Sequence, residues 1–295
     1  MQPRRISRRH SARGSPGHFD RELLRLANST DQQGNFLFSG FQNTAQPFTT
    51  DASGAVTYAG DTGKRTVQVS DSAMVPVADN GASVFLSVAS IGTSAVAAGH
   101  LANSGTGVIS GVSITNPTHA ANGDTYTIRF GGGTPATTYD VDQYDPGTAA
   151  TTTIVTGQPF TSGNAISPGG GQSVIISGAP AGTDKFSVTP AGQAAPTAPQ
   201  NSTGMSANLS ALISTLQQPL SSAAARANFQ NALDTGTTRL ENTMNNVTMM
   251  RASVGGREQE VQGLQTVTQN DTLQTQSNLA DLTSTNLTQG SASTR

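Results

Sequence analysis

The chain has 295 residues, a formal net charge of −2 and only 12% charged residues. It contains no cysteine, which excludes disulfide bonds, thiolate zinc sites and cysteine nucleophiles. No apolar run approaches the ~20 residues that a membrane-spanning helix requires, so the sequence predicts no membrane insertion. The 32 glycines and 14 prolines favour a loop-rich β domain over the core of an α/β enzyme.

The first 25 residues carry seven arginines against two acidic residues, whereas the rest of the chain is acidic. Residues 1–19 show no apolar periodicity, which predicts a disordered basic arm. No apolar stretch follows this arm, so it is not a secretory signal peptide. The arm also lacks interleaved aromatic residues, and the acidic body behind it argues against binding to nucleic acid.

Two apolar segments follow the arm. A short amphipathic helix is predicted from Asp20 on, because Leu23, Leu24 and Ala27 recur at helical spacing. Residues 34–41 read as an apolar strand or turn bounded by glycines, and their three phenylalanines are predicted to be buried.

A β-hairpin is predicted next. Val56 and Tyr58 would lie on one arm and Val67 and Val69 on the other, with glycine-rich turn chemistry at residues 60–63 between them.

From residue 104 to residue 202, short apolar strands are separated by turn residues, with no helical period. Apolar and polar residues alternate in the clearest of these strands, which places Tyr126, Ile128 and Phe130 on one face. About six strands in roughly a hundred residues predict a small sandwich or an open barrel.

The C-terminal part is predicted to be helical from Ser206 on, with an interruption at Pro219 and a second start at Ser221 or Ser222. Along the second helix an apolar residue recurs every seven positions, which draws one apolar seam. This helix-packing seam consists of Leu233, Leu240, Met244, Val247, Met250, Val254, Val261 and Leu264. The polar residues between the seam positions are predicted to face solvent, namely Arg239, Glu241, Asn245, Asn246, Arg257, Glu258 and Gln262.

Three glycines interrupt the same helix. Gly255, Gly256 and Gly263 each weaken it by about 1 kcal/mol relative to alanine. The helix therefore needs a partner helix, from its own chain or from a neighbouring one. Its periodicity fits a buried helix of an ordinary bundle as well as a rod that assembles.

These elements predict an α+β fold in which an elongated helical stem carries an inserted all-β domain. The stem would combine long coiled-coil-like C-terminal helices with the short N-terminal helix and the hairpin, over residues 20–103 and 203–289. The inserted domain would span residues 104–202. A disordered arm over residues 1–19 and a disordered tail over residues 290–295 complete the predicted layout.

The sequence carries no recognisable catalytic, cofactor or metal motif. Neither an H-E-x-x-H metal motif nor a G-x-S-x-G nucleophile motif occurs, and the acidic residues form no acid/base pair by spacing. Asp140, Asp142 and Asp145 resemble part of a calcium loop, but the glycine and the final glutamate of an EF-hand are missing, which favours a solvated strand edge. We therefore predict a protein that is not an enzyme and has no cofactor.

Five stretches, taken in order, resemble one known family. They are residues 23–31, 34–41, 46–48, 60–65 and 247–255, and their most specific positions are Asn35, Phe36, Phe38, Gly40, Phe41, Arg251, Ser253 and Gly255. In this order they look like the FlgL family of bacterial flagellar hook-associated proteins of the hook–filament junction, which are relatives of flagellin.

The resemblance implies a structural, motility-related protein whose helical stem packs in a tubular assembly while a variable β domain points outward. It implies self-association in a ring, contacts with other hook-associated proteins and flagellin, and a flagellar export chaperone. It also implies an extracellular location in the flagellum, reached through the flagellar channel without a cleaved signal peptide.

Members of this family have further amphipathic helices at both ends, and this sequence shows no match to either of them. We therefore expect a truncated form that folds but is poorly exported and assembles poorly. Two alternatives are a flagellin-type filament subunit and a secreted surface- or carbohydrate-binding β module on a helical stalk.

Overall fold

The computed structural model describes most of the chain between Pro16 and Ala292. The described residues are 16–50, 56–70, 73–87, 94–190 and 205–292. The predicted basic arm up to residue 15, the chain between residues 191 and 204, and the last three residues lie outside them.

Three α-helices and thirteen β-strands lie within the described ranges. The helices are α1 (Pro16–Ala27), α2 (Met205–Leu216) and α3 (Ala223–Ala292). The strands of the first half are β1 (Phe48–Thr50), β2 (Val56–Tyr58), β3 (Thr66–Ser70), β4 (Ala73–Pro76), β5 (Val96–Gly99), β6 (Val108–Ile109) and β7 (Ser113–Ile114). The later strands are β8 (Thr125–Gly131), β9 (Thr138–Asp145), β10 (Ala150–Pro159), β11 (Ala165–Ile166), β12 (Gln172–Ser177) and β13 (Lys185–Thr189). A π-helical turn at Ala82–Leu86 and a 3₁₀ turn at Ala120–Gly123 complete the elements.

Helix α1 begins at Pro16, four residues before the predicted start at Asp20. Proline suits the first turn of a helix, because the backbone N–H that it lacks would have no partner there. The boundary of the predicted arm at residue 19 is therefore wrong. The apolar side of α1 packs against Phe48 and Phe85, where Ala27 is buried.

The predicted hairpin is wrong in its pairing. Strand β2 pairs with β1, with Tyr58 opposite Phe48, and strand β3 pairs with β4, with Val67 opposite Val75. Residues 60–63 therefore connect two separate two-stranded sheets instead of closing one hairpin.

Long-range hydrogen bonds explain this pairing. The Asp61 carboxylate accepts hydrogen bonds from the backbone N–H groups of Phe41 and Gln42, at 2.9 and 3.1 Å, and the Tyr58 hydroxyl donates to the carbonyl of Phe38 at 3.0 Å. These bonds turn the 60–63 segment back toward the apolar stretch at residues 34–41. The sequence pattern around the turn carries no sign of them.

The predicted β region contains two antiparallel sheets. Five strands follow the order β10-β9-β8-β13-β5, and a smaller sheet has the order β11-β12-β6, with β7 also paired to β12. The predicted face of β8 is confirmed, because Tyr126, Ile128 and Phe130 are all buried. The core between the sheets consists of Ile109, Tyr126, Ile128, Phe130, Ala136, Val141, Ile166, Val174, Ile176, Phe186 and Val188.

The five-stranded sheet includes a strand from upstream of the predicted inserted domain. Strand β5 ends at Gly99 and pairs with β13 at the edge of the sheet. Helix α3 packs against β5 and β6, so this edge is covered, whereas β10 forms the other edge.

Helices α2 and α3 form an antiparallel pair. Asn208 of α2 lies beside Thr243 of α3, and Leu212 lies beside Gly236. Between the two helices, Pro219 prevents a continuous helix. The Ser222 hydroxyl accepts a hydrogen bond from the N–H of Ala225 at 3.0 Å and so caps the second helix, next to its predicted start at Ser221 or Ser222.

Helix α3 has 70 residues and, at 1.5 Å per residue, extends for about 105 Å. Its first half packs on α2, β5, β6, the π-helical turn and the β3–β4 pair. It continues to Ala292, so residues 290–292 are helical and not part of a disordered tail. Among the helices within the described ranges, none is long and apolar enough to cross a membrane.

Candidate functional site

The first half of α3 presents a polar face to the rest of the chain, which we call the docking face. It consists of Asn228, Asn231, Thr235, Asn242, Asn246 and Arg257. Side chains on this face bond to backbone groups of segments between residues 76 and 109. These bonds hold the helix against the strands β4, β5 and β6 and against irregular segments of the fold.

The N-terminal end of the docking face contacts the edge of the β layers. Asn231 donates to the carbonyl of Gly107 at 2.9 Å and accepts from the N–H of Ile109 at 3.0 Å. Thr235 donates to the carbonyl of Ala97 at 2.8 Å. Gly99 is required here, because a Cβ at this position would lie 2.7 Å from the Asn231 amide nitrogen.

Side chains at the centre of the docking face form hydrogen bonds with the backbone groups of two further segments. Asn242 both accepts from the N–H of Ser94, at 2.9 Å, and donates to its carbonyl, at 2.8 Å. Asn246 donates to the carbonyls of Ser83 and Val84, at 2.9 and 3.0 Å. Asn242 thus pairs with Ser94 as a neighbouring strand would, by offering one donor and one acceptor.

Arg257 lies at the C-terminal end of the docking face. This guanidinium donates to the carbonyl of Pro76 at 3.1 Å and forms an ion pair with Asp79. Both charged side chains are largely shielded, with 17% of Arg257 and 13% of Asp79 exposed. Burial strengthens such a pair but makes the loss of either partner costly.

The docking face corrects the prediction that Asn246 and Arg257 face solvent, since only 3% of Asn246 and 17% of the Arg257 side chain are exposed. Asn231 and Asn242 are eleven residues apart, as are Thr235 and Asn246, and eleven residues make about three helical turns. Buried backbone groups outside regular strands need partners, and asparagine supplies a donor and an acceptor on one short side chain.

The predicted apolar seam runs beside the docking face, and its members differ in exposure. Leu233, Leu240, Val247, Met250, Val261 and Leu264 are half-buried. Met244 and Val254 are 53% and 50% exposed. The chain itself therefore covers the seam only in part, and its role in packing stays a prediction.

The N-terminal family-like segment is held by an aspartate-centred loop. Asp31 accepts from the N–H and the side-chain amide of Asn35, at 2.9 and 3.1 Å. The hydrogen bond from the side-chain amide of Asn35 is the largest of the effects that lower the pKa of the Asp31 carboxyl. Asn35 also accepts from Asn43 at 3.1 Å, which closes the loop.

A second carboxylate locks the glycine of the same segment. Gly40 has a φ of +75°, and a Cβ there would lie 2.1 Å from an Asp61 oxygen, so only glycine fits. Two backbone hydrogen bonds lower the pKa of the Asp61 carboxyl. The larger effect comes from the N–H of Phe41, and the next from the N–H of Gly63, which lies 2.7 Å from the carboxylate.

The phenylalanines of this segment do not all share one environment. Phe38 packs edge-on against Phe85 with ring centroids 5.1 Å apart, and Phe85 packs in the same way on Phe48 at 5.5 Å. Phe36 is half-buried. Phe41 is 64% exposed, so the prediction that all three are buried is wrong.

The second half of the family-like pattern lies on α3, far along the chain from the first. Arg251 and Ser253 are exposed, and no atom lies within 4 Å of a Cβ built on Gly255. The structure therefore gives the N-terminal motif residues defined roles within the chain. For Arg251 and Ser253 it shows exposure alone.

The acidic side chains on β9 form ion pairs and hydrogen bonds within the sheet and its following turn. Arg129 donates to both carboxylate oxygens of Asp142, at 2.5 and 2.9 Å, and lies 3.4 Å from Asp140. The hydrogen bond from Arg129 is the first cause that lowers the pKa of Asp142. Asp145 instead accepts from Gly147 at 2.7 Å. Within the described ranges, no group of three or more such side chains is placed to hold a metal ion.

The arrangement defines a class of protein. A long helical spine, docked through polar side chains, carries a β-sandwich and two small sheets, and the described side chains form no metal cluster. The chain is thus an α+β protein built on one long helix.

Comparison with known proteins identifies this fold. No protein-family model and no curated protein sequence matches the chain significantly. The chain is similar to a crystal structure of FlgL from Xanthomonas campestris, with a TM-score of 0.71 and 23% identity over 90% of this chain and 80% of that one.

It is also similar to flagellar hook-associated protein 3 from Legionella pneumophila, with a TM-score of 0.72 and 23% identity over 90% of this chain and 79% of that one. A structure of the flagellar junction protein FlgL from the same organism gives a TM-score of 0.64 and 24% identity, over 84% and 78% of the two chains. The chain therefore has the fold of these FlgL structures, and the resemblance noted in the sequence motifs is confirmed at the level of the fold.

Proposed function

We propose that this chain is a structural component of the bacterial flagellum that joins the hook to the filament. The observation that carries the proposal is the agreement with FlgL structures over 90% of the chain. An agreement of this extent leaves only about a tenth of the chain outside the match. The proposed role needs no catalysis and no cofactor.

Two features of the molecule support an assembling subunit. The seam beside the docking face is only partly covered, and Met244 and Val254 are half exposed. Farther along α3, Leu273, Leu279 and Leu282 are 64% to 70% exposed. Apolar side chains repeated along a helix are a usual basis for packing against neighbouring helices. The seam residues are therefore proposed to contact adjacent subunits.

The proposed partners are further copies of the chain in a ring, other hook-associated proteins, flagellin and a flagellar export chaperone. The proposed location is outside the cell, after passage through the flagellar channel. The β unit of residues 104–202 is proposed to point away from the tube, because α3 packs on this unit only at the edge formed by β5 and β6. The absence of cysteine is compatible with export of an unfolded chain.

A segment exchange in a flagellated bacterium tests this role. Residues 16–292 replace the matching segment of that bacterium's own junction protein, and an epitope tag is placed in the exposed turn at residues 146–149 between β9 and β10. We expect filaments to form and gold-labelled antibody to mark one position, where the filament meets the hook. The measurement is electron microscopy of negatively stained cells, with swimming as a second readout.

The same experiment separates the alternatives. Label along the whole filament would indicate a filament subunit. Export of the exchanged protein without filaments, and without label at the hook, would overturn the junction role. The matched control is the same exchange carrying Asn242→Ala and Asn246→Ala, which removes the centre of the docking face and is expected to reduce filament formation.

A further inference from the structure

The surroundings of the long helix α3 change at Arg257. Up to this residue lies the docked half, in which side chains of the docking face bond to segments of the body. The projecting half, residues 258–292, follows it, and every described side chain from residue 265 to residue 284 is exposed. The projecting half thus carries a surface that the described part of the chain leaves uncovered.

One side of the projecting half continues the docking face. Thr235, Asn246 and Arg257 of the docking face are spaced by eleven residues, and the same spacing leads on to Thr268 and Leu279. Eleven residues make about three turns of an α-helix, so these positions lie on one side of α3. The continuation of this side, which we call the projecting stripe, consists of Val261, Leu264, Thr268, Thr272, Thr275 and Leu279.

The projecting stripe differs from the docking face in what it offers a partner. The hydroxyls of Thr268, Thr272 and Thr275 donate to the carbonyls four residues earlier in the same helix, at 2.9, 2.7 and 2.8 Å. Because the donor of each hydroxyl is used inside the helix, these side chains offer a partner mainly their methyl groups. With the valine and the two leucines of the stripe they form an apolar surface, which suits the side chains of another helix better than bare backbone groups.

The polar side chains that border the projecting stripe differ between its two sides. Glu260 and Asp271, eleven residues apart, lie on one side, and Gln265 and Gln276, also eleven residues apart, lie on the other. In two parallel helices related by a two-fold axis, each side of one helix faces the opposite side of its partner. Each carboxylate then lies across from an amide that can donate a hydrogen bond to it. In an antiparallel pair, carboxylates would face carboxylates and repel each other.

We propose that the projecting halves of two copies of the chain pair in parallel through the projecting stripe. The occupant is a second copy because the borders of the stripe complement each other only in this arrangement. The pairing rests on the proposed self-association of the chain and adds to it the contacting residues and their direction.

The size of the projecting stripe makes the pair a weak one. The stripe is ~27 Å long, so with a width of ~10 Å it covers roughly 270 Å² on each copy. Stable interfaces bury about 800 Å² on each partner. The pair therefore needs a high local concentration, and a method that captures short-lived contacts is required to detect it.

Disulfide capture in the purified chain tests the pairing, because the lack of native cysteine makes introduced cysteines the only thiols. Thr268→Cys places a thiol on the projecting stripe, and Asn270→Cys places one on the opposite side of the helix, and both positions are exposed. The measurement is the rate at which a disulfide-linked dimer appears under mild oxidation, followed on non-reducing gels. We expect Thr268→Cys to be at least about ten times faster, because only this pair brings the two Cα atoms within disulfide distance.

A third cysteine variant, Thr275→Cys, determines the direction of the pair. In a parallel pair, Thr268→Cys and Thr275→Cys each form dimers on their own, and a mixture of the two, one of them tagged, gives mainly like-with-like dimers. In an antiparallel pair, the thiols meet only in the mixture. We expect the parallel result.

Two aspartate variants in the Thr268→Cys background separate the projecting stripe from the helix as a whole. Thr275→Asp places a charge within the stripe and is expected to slow dimer formation by about tenfold or more. Thr266→Asp is the matched control: Thr266 is also exposed and its hydroxyl donates to the carbonyl of Gln262 at 3.0 Å, but it lies on the opposite side. It is expected to leave the rate unchanged, and circular dichroism checks that both variants keep the helix.

Three results would overturn the pairing. One is an equal rate for Thr268→Cys and Asn270→Cys. The second is dimer formation only in the mixture of Thr268→Cys with Thr275→Cys, which indicates antiparallel helices. The third is equal slowing by Thr275→Asp and Thr266→Asp. Each of these results leaves the junction role standing, because that role is decided by where the labelled protein lies in cells.

Discussion

The β-sandwich and the docked half of α3 are held in different ways. In the sandwich, Tyr126, Ile128, Val141, Ile176 and Val188 are fully buried, and apolar burial supplies the stability. Along α3 the most buried side chains are polar, namely Asn231, Asn242, Thr243 and Asn246. Apolar contacts tolerate small shifts, whereas hydrogen bonds to particular carbonyls fix the helix in one register. The docking face therefore defines position more than it adds stability.

The largest expected effect comes from opening the sandwich core. Phe186 is buried and packs edge-on against Phe130, with ring centroids 5.7 Å apart. Phe186→Ala is expected to lower the free energy of unfolding by about 3–5 kcal/mol, measured by urea denaturation. Ile175→Ala, on the exposed side of β12, is the control and should cost less than about 1 kcal/mol. Equal costs would contradict the assignment of the core.

A smaller loss is expected from the docking face. Asn242→Ala leaves the N–H and the carbonyl of Ser94 without their partner, which should cost about 1–3 kcal/mol by the same measurement. Asn270→Ala, on the exposed projecting half, should change stability by less than about 0.5 kcal/mol. If both variants unfold at the same urea concentration, the docking face does not hold the helix.

A related variant tests the chemistry of the same face. Asn231→Asp keeps the shape of the side chain but removes the donor that bonds the carbonyl of Gly107. It should destabilise the chain about as much as Asn231→Ala, because a carboxylate cannot donate to a carbonyl and its charge would be buried. A much milder effect of the aspartate variant, in thermal denaturation at neutral pH, would show that shape alone matters.

Acid is expected to weaken the N-terminal segment and the β9 surface. Hydrogen bonds lower the pKa of Asp31, Asp61 and Asp142 in the folded chain below the ordinary value of 3.8. A depressed folded pKa gives stability that is present above the unfolded pKa and is lost as pH falls through the folded value. Stability should therefore decline below about pH 4. Asp61→Asn should flatten this decline relative to the unaltered chain, in denaturation series from pH 7 to pH 2.

The smallest effect on the isolated chain is expected at the exposed edge of the seam. Val254 is half exposed, so Val254→Asp should change the free energy of unfolding by less than about 1 kcal/mol. If the seam contacts neighbouring subunits, the Val254→Asp variant should self-associate less than the unaltered chain, measured by sedimentation velocity at high concentration. Val254→Ala provides the control without a charge. A loss of several kcal/mol in the monomer would show that the side chain is buried after all.

Local patterns in the sequence predicted local structure. The alternation at Tyr126, Ile128 and Phe130 has the period of a strand, and Pro219 with Ser222 marks the break and restart of the helices. The order of short motifs predicted the fold, which the structural comparison confirms. These signals lie within a few residues of each other, so they can be read without knowing the tertiary contacts.

The features that could not be predicted from the sequence depend on contacts between residues far apart in the chain. Asn242 and Asn246 look like residues of a solvated helix face, because their partners lie 148 and 163 residues earlier in the chain. The pairing of β1 with β2 could not be read from Gly60 to Gly63, because Asp61 directs that segment through bonds to Phe41 and Gln42. A spacing of eleven residues between Asn231 and Asn242, and again between Thr235 and Asn246, was the available signal for the docking face.

The continuity of α3 has a mechanical consequence. One unbroken helix connects the β layers to the projecting end, so a pull along its axis crosses no loop before it reaches the docked half. There the load falls on the side-chain hydrogen bonds of Asn231, Thr235, Asn242 and Asn246. These bonds join the helix to several separate backbone segments, so the force is shared among them. The docked half of α3 is thus arranged to withstand tension along the length of the molecule.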